Sequence, residues 1–141
     1  MEKVLVTGAT GYIALHCVQQ LLDQGYAVNG SIRSPERKNE VIEALKNSGT
    51  STENLNLFVF DLTNDEGWDD GMEGCDYLLH VASPLALENH TEDYFVKPAV
   101  AGAKRALKFA KKHGVKKVVL TSSVAAISVS YTHLTLPTSH C

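Results

Sequence analysis

Thr7-Gly8-Ala9-Thr10-Gly11-Tyr12-Ile13-Ala14 follows directly on the apolar run Val4-Leu5-Val6, and its two glycines, three residues apart, suit a turn that binds an anion. A strand that must turn sharply into a helix needs backbone angles that Gly8 can take and side-chain-bearing residues resist. Gly11, lacking a Cβ, leaves the backbone open to close approach by a ligand. Behind it Ile13, Leu15, Val18, Leu21 and Leu22 recur at helical spacing, and Gly25 ends the pattern. A helix starting at such a turn aims unpaired N–H groups and the positive end of its dipole at the space above it. An anion fits there, and a pyrophosphate fits best. Two glycines also suit an ordinary tight loop, but a second strand over 27–32 completes the strand-turn-helix-strand order of a dinucleotide site.

That second strand ends in Ser31-Ile32-Arg33 rather than in an acid. A cofactor without a 2′-phosphate is usually held there by an Asp or Glu about 20 residues beyond the glycines. Arg33, with Arg37 one helical turn further on, offers guanidinium forks that suit a phosphate instead. The pattern points to NADP(H) as the preferred cofactor, with NAD(H) as the second candidate. The bland alternative is a pair of solvated arginines, which a helix N-terminus disfavours unless an anion lies nearby.

Further polar residues fall at strand ends: Asp61-Leu62, then His80-Val81-Ala82-Ser83-Pro84, then Thr121-Ser122-Ser123. Singly, Asp61 reads as a turn cap, His80 as a satisfied core histidine, and Ser122-Ser123 as the start of a polar loop. Together they line one rim of a sheet, where ligands of open α/β folds bind.

The elements that must position these groups alternate. Strands are expected over 3–7, 27–32, 55–60, 77–81 and 116–121, with helices over 12–24, 35–47 and about 92–113, and a short turn-rich piece around Trp68. The second helix has Ser34 as N-cap, Pro35 in its first turn, and Val41, Ile42 and Leu45 as its buried stripe. The third carries Phe95, Val96, Ala99, Val100, Ala103, Ala106, Leu107 and Ala110 at spacings of three and four, and Gly114 closes it. Alternation of this kind implies an α/β fold, a doubly wound parallel sheet with right-handed crossovers.

With 141 residues, 44% of them hydrophobic, the chain can bury a core as one domain. No apolar stretch approaches the ~20 residues that cross a bilayer, and Met1-Glu2-Lys3 leads straight into a strand, so no membrane partner and a cytoplasmic location are expected. Cys17, Cys75 and Cys141 are scattered and odd in number, which reads as reduced thiols with no metal site. A net charge of −3 leaves no nucleic-acid footprint. The basic cluster Lys111, Lys112, Lys116 and Lys117 is read as offsetting the negative pole of the long helix.

These residues resemble the extended short-chain dehydrogenase/reductases, and within them the dihydroflavonol reductases, cinnamoyl-CoA reductases and yeast methylglyoxal/aldehyde reductases. The marks are Thr7-Gly8-x-x-Gly11-Tyr12-Ile13-Ala14, Arg33-Ser34 with Arg37, Asp61-Leu62, Leu79-His80-Val81-Ala82-Ser83-Pro84, Pro98-Ala99-Val100-x-Gly102 and Val118-Val119-Leu120-Thr121-Ser122-Ser123. Many members carry glycine at the place of Ala14; the aldehyde-reductase branch resembles this chain there. The resemblance covers residues 3 to about 127 and implies a Rossmann domain over 1–128, strand order 3-2-1-4-5, cut after its fifth strand. It implies that Gly8, Thr10, Gly11, Tyr12 and Ile13 bind pyrophosphate, that Arg33 and Arg37 hold the 2′-phosphate, and that Asp61 and Leu62 flank adenine. Val81, Ala82 and Thr121 would line the path to the nicotinamide, and Ser123 matches the catalytic serine that orients the substrate carbonyl.

In such enzymes a tyrosine protonates the carbonyl oxygen and a lysine four residues later lowers the pKa of that tyrosine. Here Tyr131 is followed four residues on by Thr135, so this Tyr-x-x-x-Lys pair is missing, and residues 129–141 do not resemble the family and are expected to be a foreign, disordered tail. The function implied is that of an NADPH-dependent carbonyl reductase acting on a small aldehyde or ketone, present as its cofactor-binding part and inactive. A homodimer of the parent is expected. A non-catalytic NADP(H)-binding module and a nucleotide-sugar epimerase or dehydratase relative are the alternatives.

Overall fold

The computed structural model describes residues 1–82 and 92–122. Its elements are β1 (Lys3–Val6), α1 (Tyr12–Asp23), β2 (Ala27–Ile32), α2 (Lys38–Asn47), β3 (Leu55–Val59), α3 (Trp68–Met72), β4 (Tyr77–His80), α4 (Glu92–Lys112) and β5 (Lys117–Leu120). Every strand pairing is parallel and the order is β3-β2-β1-β4-β5, as the resemblance implies. The order reverses at β1. Right-handed crossovers leaving that strand in the two directions put their helices on opposite faces of the sheet.

The packing follows from the alternation of side chains along β1. Val4 and Val6 face one side, where they join Ala14 and Val18 of α1 and Val41 and Leu45 of α2 in an aliphatic core. Leu5 faces the other side, packed with Phe60, Trp68, Met72, Leu78, Ala106 and Phe109. Two faces are thus covered by two different kinds of side chain.

Several expected features shift. Thr7, Phe60, Val81 and Thr121 stand just past the carboxyl ends of their strands, although Thr7 N–H still donates to Leu79 O at 3.1 Å and Thr121 N–H to His80 O at 3.0 Å. The helix expected over 35–47 divides into a 3-10 turn, Pro35–Arg37, and α2. Ser34 occupies the cap position, but its hydroxyl makes no capping hydrogen bond to the backbone. The piece around Trp68 is not merely a turn: it is the one-turn helix α3, held by Trp68, which is fully buried. On α1, Ile13 is exposed rather than buried, because it faces the space above the sheet. On α4, Ala106, Phe109 and Ala110 are buried while Val96, Val100 and Leu107 are 44–46% exposed, so the expected stripe spans two faces and omits the aromatic residue that packs.

The basic cluster near the end of α4 has specific partners. Lys112 Nζ lies 2.8 Å from Asp69 and Lys116 Nζ 3.4 Å from Asp76. Carboxylates on α3 and before β4, rather than the helix pole alone, account for these cations. Burial pushes the Cys75 thiol up to about 11, which leaves it an inert core residue. Among the described residues no group of His, Cys, Asp and Glu could hold a metal ion, and no helix is long and apolar enough to cross a membrane.

One side chain ties the strands together at the point of reversal. Thr7 Oγ1 accepts the N–H groups of Val81 and Ala82, each at 3.0 Å, and lies 3.0 Å from His80 Nδ1. A hydroxyl has two lone pairs and one proton. Both lone pairs being used, the proton goes to Nδ1, so His80 is neutral with its own proton on Nε2. Burial lowers its pKa from the ordinary 6.5, in the same sense.

Replacing Thr7 by Val leaves two N–H groups and a buried imidazole nitrogen without their partner, and should cost about 2–4 kcal/mol in urea unfolding followed by circular dichroism. Stability should also fall as the pH drops below 6.5, because the unfolded chain then takes up a proton that folded His80 refuses. Asn at position 80 keeps an acceptor near Nδ1 and cannot titrate. The decrease in urea midpoint between about pH 7 and pH 5 should therefore be smaller in His80→Asn than in the parent chain.

Candidate functional site

The carboxyl ends of β1, β2 and β4 open into a cavity of about 680 Å³, within the ~300–1,000 Å³ common for small-molecule and cofactor sites. It lies at the point where the strand order reverses, where doubly wound sheets bind their ligands. The turn after β1 forms its floor. Gly8 has φ +70°, which strains any side chain, and a Cβ there would stand 3.0 Å from the Cβ of Ala82, so Ala82 would have to give way for it. Its N–H donates to Ser31 Oγ at 2.8 Å, and Ala9 N–H donates to Ser31 O at 2.8 Å. Ser31, itself buried, thereby fastens the turn to the end of β2.

Gly11 precedes α1, and the first α-helical hydrogen bond runs from Leu15 N–H to Gly11 O at 2.8 Å. No side chain caps this helix and its first turn holds no acid. Among the described residues, the leading N–H groups of α1 therefore meet the cavity without a side-chain anion to satisfy them.

The cofactor residues expected from the sequence come together here with one exception. Gly8, Thr10, Gly11, Tyr12, Ile13, Arg33, Arg37, Asp61, Leu62, Val81 and Ala82 all line the cavity. Thr121 does not; it stands exposed at the end of β5, bonded through its backbone to His80. Ser123, Ser83, Pro84 and the stretch 129–141 lie outside the described residues.

Charge is laid out along one rim. Arg33 is exposed and makes no ion pair within 4.0 Å among the described residues. Arg37 is already engaged, with Nε 3.1 Å and Nη2 3.2 Å from the two carboxylate oxygens of Glu40. The two arginines thus differ in their surroundings: Arg37 shares its charge with Glu40, and Arg33 does not. Asp61 is both a turn cap and a lining residue, for its Oδ1 accepts from Thr63 N–H at 2.7 Å and Thr63 Oγ1 at 2.5 Å. Those bonds, reinforced by the guanidinium groups of Arg33 and Arg105, hold the Asp61 carboxyl below the usual range.

Sequence reasoning missed three residues that shape this space. Trp68 lines the cavity and donates from Nε1 to Asp61 O at 2.8 Å. Ser31 was read only as a strand end, yet a small hydroxyl two residues before Arg33 was the available signal. Arg105 donates to Leu62 O from α4, a contact across 43 positions that no local pattern shows.

Among the described residues, an uncapped helix start, a turn whose left-handed glycine packs closely on Ala82, and a guanidinium in no ion pair near a carboxylate fit the phosphates and ribose of a dinucleotide.

The model of the NAD dependent epimerase/dehydratase family matches residues 4–135, reaching into the stretch beyond 128. The chain is 37% identical over 133 residues to dihydroflavonol 4-reductase of Callistephus chinensis, covering 93% of this chain and 36% of that protein. It is 41% identical over 127 residues to cinnamoyl-CoA reductase 2 of Arabidopsis thaliana, covering 89% and 36%. Among solved structures, yeast methylglyoxal/isovaleraldehyde reductase complexed with NADPH superposes with a TM-score of 0.77 at 34% identity, over 88% of this chain and 38% of that one. The chain spans less than two-fifths of the length of each. By its sequence, its sheet order and the turn at its switch point, the chain belongs to the NAD dependent epimerase/dehydratase family.

Proposed function

We propose that this chain is the cofactor-binding part of an NADPH-dependent oxidoreductase that reduces the carbonyl of a small aldehyde or ketone. The observation that carries the reading is the cavity at the strand reversal, where the uncapped start of α1 and Arg33, in no ion pair among the described residues, line one space. In this reading the N–H groups opening α1 hold the pyrophosphate, and Gly8 and Gly11 let it approach. Arg33 receives the 2′-phosphate, with Arg37 joining as it shares its charge with Glu40. Asp61 and Leu62 bound the adenosine half, and Val81 and Ala82 lie toward the nicotinamide. The bound nicotinamide supplies hydride chemistry.

Ser123, which lies outside the described residues, would orient the substrate carbonyl. The sequence holds no Tyr-x-x-x-Lys after it, so a group with which to protonate the developing alkoxide is missing from the residues at hand. The chain as given is proposed to bind the cofactor without turning over. The reductase names of the relatives favour this reading over sugar-nucleotide epimerisation.

Isothermal titration calorimetry should show NADPH bound more tightly than NADH, with Arg33→Ala reducing NADPH affinity by about ten-fold or more and leaving NADH nearly unchanged, since a charge-assisted phosphate contact is at stake. Equal affinities for both cofactors in the parent chain would sink the 2′-phosphate assignment. Absorbance at the NADPH band should show no aldehyde-dependent oxidation above buffer for the 141-residue chain, and sustained turnover would mean that another residue delivers the proton.

A further inference from the structure

Leu62 and Asp61, which bound one side of the cavity, belong to a connection with few backbone partners of its own. Three other side chains hold it. Trp68 Nε1 donates to Asp61 O at 2.8 Å. Arg105, on α4, donates from Nη1 to Leu62 O and from Nε to Asp65 Oδ1, the latter at 2.5 Å. Lys108 Nζ, one turn further along the helix, reaches the other oxygen of Asp65 at 3.0 Å.

The same helix also packs against this connection. A Cβ at Gly102 would stand 2.7 Å from Leu62 Cδ2 and 2.9 Å from Leu62 Cβ, so α4 passes as close to Leu62 as a backbone can. Arg105 is only 20% exposed while its partner Asp65 is 55% exposed, which marks the guanidinium as the inserted group and the carboxylate as its outer anchor. A planar fork can span a carbonyl and a carboxylate at once, whereas an ammonium offers one charged point on a flexible stem.

We propose that Arg105 is a positioning residue for the adenosine half of the cofactor site: by clasping Leu62 O and Asp65 together it sets the wall against which the adenosine of a dinucleotide rests. This rests on the cofactor reading above. Arg105 is not among the cavity-lining residues, so it acts through Leu62. Its effect is therefore blind to the 2′-phosphate, in contrast to that of Arg33, and equal for any ligand that carries the adenosine half.

The test is calorimetry on the 141-residue chain with NADPH, NADH and adenosine 2′,5′-bisphosphate, for the parent, Arg105→Met and Arg105→Lys. Met keeps the apolar stem and removes both hydrogen bonds; all three ligands should weaken by about ten-fold, with the ratio of NADPH to NADH affinity unchanged. Lys keeps the charge near Asp65 but cannot hold Leu62 O as well, and should show the same pattern at about three-fold. Circular dichroism verifies that each variant is folded. Parent-like affinities in folded Arg105→Lys, or a loss confined to NADPH, would overturn the clasp. Should Arg105→Met not fold, the Lys variant decides alone. A parent chain that binds none of the three ligands overturns the cofactor reading instead.

Discussion

The Thr7 hydroxyl stands where the sheet reverses its order, and the walls of the cavity are placed relative to it. Its two accepted N–H groups come from Val81 and Ala82, so the chain leaving β4 is drawn against the end of β1. That approach brings Ala82 close against Gly8, so that a Cβ at position 8 would crowd it. Gly8 in turn hands its N–H to Ser31 and so fixes the end of β2. Three carboxyl ends are thus locked by two adjacent residues and one serine. The opening of α1 inherits its direction from this lock. Buried hydroxyls usually contribute little net stability; this one matters because every partner it satisfies would otherwise be stranded.

The charges around the cavity show a second constraint. Among the described residues, a helix start without a side-chain cap and an arginine in no ion pair within 4.0 Å give one rim of the cavity positive potential. Glu40 partly offsets it by occupying Arg37, and Asp61 draws on Arg33 from across the rim. The site therefore has graded rather than uniform positive character, strongest between the opening of α1 and Arg33.

What could be read from the sequence were features that short stretches of chain decide. The glycine turn, the parallel alternation and the substitution of Arg33 for an acid each depend on a few neighbouring residues, and the sheet order and family agree with them. His80 shows the limit of that reading. Taken singly it reads as a satisfied core residue and taken with its neighbours as a rim group, and the structure makes it a buried partner of Thr7. Trp68 and Arg105 were illegible for a stronger reason: their partners lie 7 and 43 positions away and are backbone carbonyls, which carry no residue-type signal. The short helix α3 was hidden by its composition, because its two aspartates and a glycine have poor helix propensity, and burial of Trp68 overrides them.

The two faces of the sheet differ in one more respect. Trp68 is the single tryptophan of the chain and it sits with Phe60 and Phe109 on the α3–α4 side, its ring centroid 4.7 Å from the first and 6.0 Å from the second. The fully buried residues beneath α1 and α2 are all aliphatic, with Tyr26 and Tyr77 packed against them only in part. Indole emission consequently watches one half of the molecule, while peptide absorption watches both. Coincidence of the two signals during denaturation would mean that the faces come apart as one cooperative unit; separation of them would reveal the aliphatic half melting unseen by the fluorophore.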